Sequence, residues 1–241
     1  LHTAYRRQRQ MCIRDRHHTT LFSILSNAGD QSLATATVSI PVGQLANDFD
    51  DAKRVAKRIE QASRIAQLDS MRAVTHNKGI MNGVDAVVLA MGNDWRAIES
   101  AAHAFAVTDG QYRGLSQWHL TDNQLTGTLT LPLPIGVVGG ATKVLPLVAI
   151  NQKIAQIKSP EELMMLIVAV GLAQNFAALK ALVTSGIQQG HMKMQMRSLA
   201  MSVGATAVET PALTQQLMKL SDPNEAQATQ LLNQIREKQG E

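Results

Sequence analysis

The chain has 241 residues, of which 45% are apolar, 17% charged and 3% aromatic, with a single cysteine. This is enough apolar material for one large domain or two modest ones, and it excludes a disordered chain and a disulfide scaffold. The formal charge of +4 would suggest nucleic acid or a membrane surface as partner, but its location removes that reading.

Residues 1–16 (LHTAYRRQRQMCIRDR) hold five arginines, Arg6, Arg7, Arg9, Arg14 and Arg16, against one acid, Asp15. The rest of the chain carries eighteen basic and eighteen acidic residues, so it is neutral and offers no electrostatic case for nucleic acid. A basic block of this kind often serves as a binding arm. RRQRQMCIRDR also reads as an in-frame translation of a transposase-type sequencing adapter. We therefore expect residues 1–16, including Cys12, to be non-native and set them aside from fold reasoning. Native sequence is expected from about His17, entering in mid-gene.

Phe22–Asn27 reads as a strand, and so does Ala34–Ile40, where Ala34, Ala36, Val38 and Ile40 alternate with Thr35, Thr37 and Ser39 up to Pro41. Asp48–Leu68 has helical spacing, with Val55, Ile59, Ala62 and Ile65 on one face and Lys53, Arg54, Lys57 and Arg58 on the other. The following stretch is expected to be a loop through Gly79, a helix over Met81–Met91, a break at Gly92-Asn93, and a helix from Asp94 to Val107 with Asp94 as N-cap. Gln117–Leu120 and Leu125–Leu131 flank Thr121-Asp122-Asn123 as a hairpin. Pro132–Gly140 is turn-rich. Helices are expected at about 145–156, 160–173, 174–185, 192–203, 211–220 and 223–238, with Pro160, Pro211 and Pro223 at starts. The longest apolar run, Leu163–Ala173, falls short of the roughly 18 residues of a membrane span, so no membrane partner is expected. The fold class is α+β with a helical C-terminal third.

Lys78, in a loop before a helix, is oddly placed for a structural cation and suits an oxyanion or carboxylate; a solvated loop lysine is the plainer alternative. Asp94 is accounted for by capping alone. It lies 16 residues from Lys78, with a helix of roughly 16 Å between them, so pairing would need a folded-back chain or a second subunit. His191 follows Gly190 ahead of a Met-rich helix. It is either structural or a proton donor to a leaving group near neutral pH. GVVGG lacks a nucleotide-binding pattern, and no His, Cys and carboxylate cluster has metal-ligand spacing, so no metal is expected. The residues alone lead to an acid–base or anion-binding enzyme, or to a helical structural module.

The strings MRAVTHNKGIMNGVDAVVLAMGNDWRAIESAAHAFA, PLPIGVVGGATK, VGLAQN and GIQQGHMKM, in this order, resemble HMG-CoA reductase of the bacterial, soluble class II type, from about Leu21 onward. The resemblance implies a reversible two-step reduction of HMG-CoA to mevalonate and CoA by NADH or NADPH. By motif, it implies that Lys78 stabilises the oxyanion, Asp94 interacts with that lysine, and His191 protonates the CoA thiolate. Arg72 would bind the HMG carboxylate, Asn82 and Gln174 would hydrogen-bond the substrate, and Asn27 would sit where substrate meets nicotinamide. It further implies a cytoplasmic homodimer with its active site at the subunit interface. Residues 17–30 would be the exit of a small dinucleotide-binding domain, 31–188 the second part of the large domain, and 189–241 a C-terminal helical flap. The family's catalytic glutamate and most of its nucleotide domain would precede this chain, which alone is expected to be inactive. A non-catalytic dimerisation or CoA-ligand-binding module on the same scaffold is the alternative.

Overall fold

Small and apolar residues alternating with Thr and Ser place Leu33–Pro41 in strand β1, as expected. A computed structural model describes residues 21–22, 24, 26–29, 31–139, 144–184 and 187–239; the adapter-like segment 1–16 lies outside them. Among the described residues of 22–27 there is no strand, contrary to expectation. β4 (Ser116–Thr121) and β5 (Gln124–Pro132) form the expected hairpin, with Thr121 opposite Gln124 across a two-residue turn. β1 pairs antiparallel with β5, giving the order β1-β5-β4. Trp118, Leu125, Leu129 and Leu131 are buried on the inner face. The outer face carries hydroxyl pairs, Thr35 with Thr130 at 2.9 Å and Ser39 with Thr126 at 3.2 Å.

Helix α1 (Phe49–Leu68) is capped by Asp48, whose Oδ2 accepts from Asp51 N at 3.0 Å, and it carries Asp50 and Asp51 in its first turn. Its buried stripe is Ala52, Val55, Ala56, Ile59, Ser63 and Ala66. Ile65, expected on this face, is 51% exposed. Helical spacing after Ile59 leads instead to Ser63, whose hydroxyl accepts from Trp118 N at 3.0 Å and draws β4 in.

The largest departure is α2, one continuous helix over Ser70–Ala90. Lys78 and Gly79 lie inside it, not in a loop. Glycine inside a helix costs about 1 kcal/mol relative to alanine, yet tertiary packing favours it here. Gly83 brings α2 against α5 (Pro160–Val183), where a Cβ would stand 2.9 Å from the Cβ of Gln174. On α5, Gly171 faces Val84, Leu129 and Ile80 in the same way. α5 is likewise one helix where two were expected, with Ser159 as N-cap and Pro160 at its start. By length and composition α5 is apolar enough to cross a membrane, with a mean hydropathy of 1.8. Its Leu163, Ile167, Val168, Leu172 and Leu179 are nevertheless buried in the main core.

α3 spans Trp95–Phe105 and stops short of the expected Val107, which enters a second small hairpin, β2 (Val107–Thr108) with β3 (Gln111–Tyr112). Asp109 and Gly110, both at positive φ, make its turn. α4 (Pro146–Ala155), α6 (Ile187–Ser202), α7 (Glu209–Leu217) and α8 (Glu225–Gln239) follow. Met196, Ala200, Leu213, Leu217, Ala228, Leu232 and Ile235 form a second core, separate from the first.

Candidate active site

Continuing the helix through Lys78 sets the geometry of the site. Buried Ala73, His76, Asn77, Ile80, Met81, Val84 and Val88 recur at helical spacing and face the interior. Lys78 and Asn82 fall on the opposite side, one turn apart and about 6 Å along the axis, and both are exposed. Gln174, also exposed, packs its Cβ beside Gly83 and so lies next to Asn82. The chain therefore brings Lys78, Asn82 and Gln174 onto one open patch. Lys78 has no hydrogen bond or ion pair among the described residues, leaving its ammonium free to meet an anion.

A buried polar knot beneath this patch holds the two helices. Ser116 Oγ donates to Asn175 Oδ1 at 2.8 Å, and Trp118 Nε1 donates to the same oxygen at 2.8 Å. His76 Nε2 completes the knot, 2.7 Å from Ser116 Oγ and 3.3 Å from Asn175 Nδ2. Burial, then the Arg72 charge, lowers the His76 pKa to about 4, so this ring is neutral near pH 7. Its Nδ1 is buried without a hydrogen-bond partner among the described residues. Asn77 Nδ2 donates to Arg113 O, and its Oδ1 accepts from Leu115 N, both at 2.8 Å. His76, Asn77, Ser116 and Asn175 had no assigned role in the sequence reading. For His76 and Asn77 the available signal is a pair of polar positions in an otherwise apolar helical stripe, masked by the loop expected there.

The remaining candidates lie elsewhere. Arg72 is on α2 but about 120° around the helix from Lys78; burial lowers its pKa, and it stays charged. Asp94 caps α3 as expected, its Oδ1 accepting from Ala97 N at 3.1 Å. Asn93 N donates to Val88 O, so Asp94 starts level with Val88, about 15 Å along α2 from Lys78. Within one chain the two do not meet. Asn93 also clamps the turn-rich segment, exchanging two hydrogen bonds with the Gly136 backbone at 2.9 and 3.0 Å. Asn27 is exposed ahead of β1, two residues before Gly29, which packs on Pro134 and Ala101. His191 belongs to α6, not to a segment preceding it; its side chain lies outside the described residues. Two hollows of about 810 and 710 Å³, one between α1 and β4 and one between α6 and α7, include none of these candidates.

A sequence model of hydroxymethylglutaryl-coenzyme A reductase matches residues 3–196. The chain belongs to the HMG-CoA reductase family. The matched span begins inside the adapter-like segment and ends within α6, including every candidate residue. The chain is 42% identical over 197 residues to 3-hydroxy-3-methylglutaryl-coenzyme A reductase of Archaeoglobus fulgidus, covering 81% of itself and 44% of that protein. A probable reductase of the same name from Borreliella burgdorferi is 39% identical over 179 residues, covering 74% of this chain and 42% of its own. Among solved structures, the Streptococcus pneumoniae reductase superposes with a TM-score of 0.67 at 46% identity, over 89% of this chain and 52% of that one. A class II structure of the S. pneumoniae reductase bound to NADPH in open conformations gives 0.66 at 46% identity, over 90% and 53%. The chain thus spans about half the length of these HMG-CoA reductases.

Proposed function

We propose that this chain forms the substrate-facing half of a cytoplasmic class II HMG-CoA reductase, acting as a homodimer with its active site between subunits. The observation that carries this reading is the open Lys78–Asn82–Gln174 patch, built on the HNKGIMNG string and held by the buried knot. In the reaction, the thioester carbonyl and then the aldehyde carbonyl develop negative charge on oxygen. Lys78 supplies a cation and Asn82 an amide donor at that oxygen, a contribution typically worth about 3–4 kcal/mol of barrier. Gln174 hydrogen-bonds the bound acyl chain, and the Arg72 guanidinium pairs with the HMG carboxylate. His191 protonates the departing CoA thiolate, and Asp94 modulates Lys78.

The apolar groups around the patch support the subunit arrangement. Met71, Val74 and Leu89 on α2 are all exposed. A partner covering them would exclude water from Lys78 and could bring the Asp94 of one subunit to the lysine of the other, which one chain cannot do. NADH or NADPH, when bound, supplies hydride. The described residues fit only the nicotinamide end of that cofactor, through the Asn27 amide, which offers both donor and acceptor to a carboxamide.

The test is a chimera in which residues 31–241 replace the corresponding part of the S. pneumoniae reductase. HMG-CoA-dependent oxidation of NADPH is expected, falling at least about a hundredfold in Lys78→Ala. A folded, dimeric chimera without turnover, or one whose turnover survives Lys78→Ala, would overturn the reading in favour of a non-catalytic module.

A further inference from the structure

Three residues beyond Asn82, on the same side of α2, the half-buried carboxyl of Asp85 faces Glu99 of α3. Asp85 Oδ1 is buried and has no hydrogen-bond partner among the described residues. Glu99 Oε2 lies 2.6 Å from His103 Nε2, and His103 Nδ1 lies 2.7 Å from the Tyr112 hydroxyl. Two ionised carboxyls in contact present acceptors only, so this arrangement is one proton short. With Tyr112 O–H donating to His103 Nδ1 and His103 Nε2–H donating to Glu99, a proton on Asp85 donated to Glu99 gives every contact one donor and one acceptor.

We propose that Asp85 and Glu99 share a proton that clamps α3 to α2, making them positioning residues that hold Asp94 in place for the reaction. The inference rests on the reductase reading for its link to catalysis, but not for the clamp itself. α3 begins at the Asp94 cap and carries Glu99 on its second turn, so this contact sets the height and tilt of the helix relative to the Lys78–Asn82 face. Burial, the Glu99 hydrogen bond and the Glu99 charge, in that order, push Asp85 up to about 7.

The groups facing Asp85 allow few other sources of pH dependence. α3 contributes Glu99 and His103, β3 contributes Tyr112, and α2 itself carries Lys78 two turns upstream. α5 meets this part of α2 through Val170, Gly171 and Gln174, and α4 through Asn151 on Ala90 O. None of these is charged. Above neutral pH the shared proton leaves and two like charges remain in contact, so the clamp opens.

Hydrogen exchange on the full chain tests this, with protection of the α3 amides corrected for intrinsic exchange at each pH. Protection should hold up to about pH 7 and then fall by up to about tenfold per unit. In Glu99→Gln the amide donates to an ionised Asp85, and in Asp85→Asn the amide donates to Glu99, so both profiles should be flat. A fall that persists in both variants, or is absent from the unaltered chain, overturns the clamp. In the active chimera, kcat/KM should show an alkaline limb that Glu99→Gln removes; a limb left unchanged removes the link to Asp94. A chimera inactive at every pH refutes the reductase reading, while the exchange profiles still decide the clamp.

Discussion

Asn175→Ala should be among the most damaging single changes in the main domain. Asn175 is 1% exposed, and its Oδ1 accepts from both Ser116 Oγ and Trp118 Nε1 at 2.8 Å. Truncation leaves the indole N–H buried without an acceptor, at about 1–3 kcal/mol, and takes the acceptor from the Ser116 hydroxyl. The small cavity left by the amide adds on the order of 1 kcal/mol. Because Ser116 keeps its His76 contact, the combined loss should be about 3–4 kcal/mol. Denaturant titration followed by tryptophan fluorescence measures it, since Trp118 lies in the main core and Trp95 opens α3, so neither reports on the C-terminal helices. Ser116→Ala should cost less, about 1–2 kcal/mol. A loss below about 1 kcal/mol for Asn175→Ala would show that the amide is not the hub and would refute the donor assignments of the knot.

Gly171→Ala would set a Cβ 2.9 Å from Val84 Cγ2, so overpacking should cost about 1–3 kcal/mol, read by the same titration. Lys78→Ala should leave stability within about 0.5 kcal/mol, because the side chain is exposed; a large loss would show a structural role. Hydrogen bonds from Arg236 and from the Thr206 backbone hold Glu209 down at about 2, below its ordinary 4.5. A depressed carboxyl stabilises above its unfolded pKa and loses that support as pH falls through the folded one. The C-terminal helices should therefore loosen between about pH 4.5 and 2, and Arg236→Ala should flatten that part of a helicity titration. His76, lowered to about 4, should weaken the main domain as pH drops from about 6.5 toward 4, with His76→Gln reducing that slope in tryptophan fluorescence.

Local chemistry was legible wherever it matched the global structure. The β4–β5 hairpin, the Asp48 and Asp94 caps, and β1 all followed from turn residues, capping carboxylates or strict alternation. The α2 segment reads as a loop because its interior positions include His76, Asn77 and Gly83, which resemble loop composition until the rest of the fold is present to use them. The same long-range contact carried α5 past Ala173, where no local signal marks continuity. Of the candidate site, Lys78 stands out in the sequence as a residue, but its alignment with Asn82 depends on the continuous α2 helix. The separation of Lys78 from Asp94 followed from helical rise alone and holds. The knot at Asn175 joins residues up to 99 positions apart, a link that no local pattern encodes.

The second core has a consequence for how this molecule can be handled. α6, α7 and α8 bury their own Leu213, Leu217 and Leu232, so their cohesion does not depend on the sheet. The helix bearing His191 can therefore be displaced as a body, at the cost of a seam and not of a fold. Heating or limited proteolysis should accordingly yield two separate events, and each part can be replaced by a homologue's without redesigning the interior of the other.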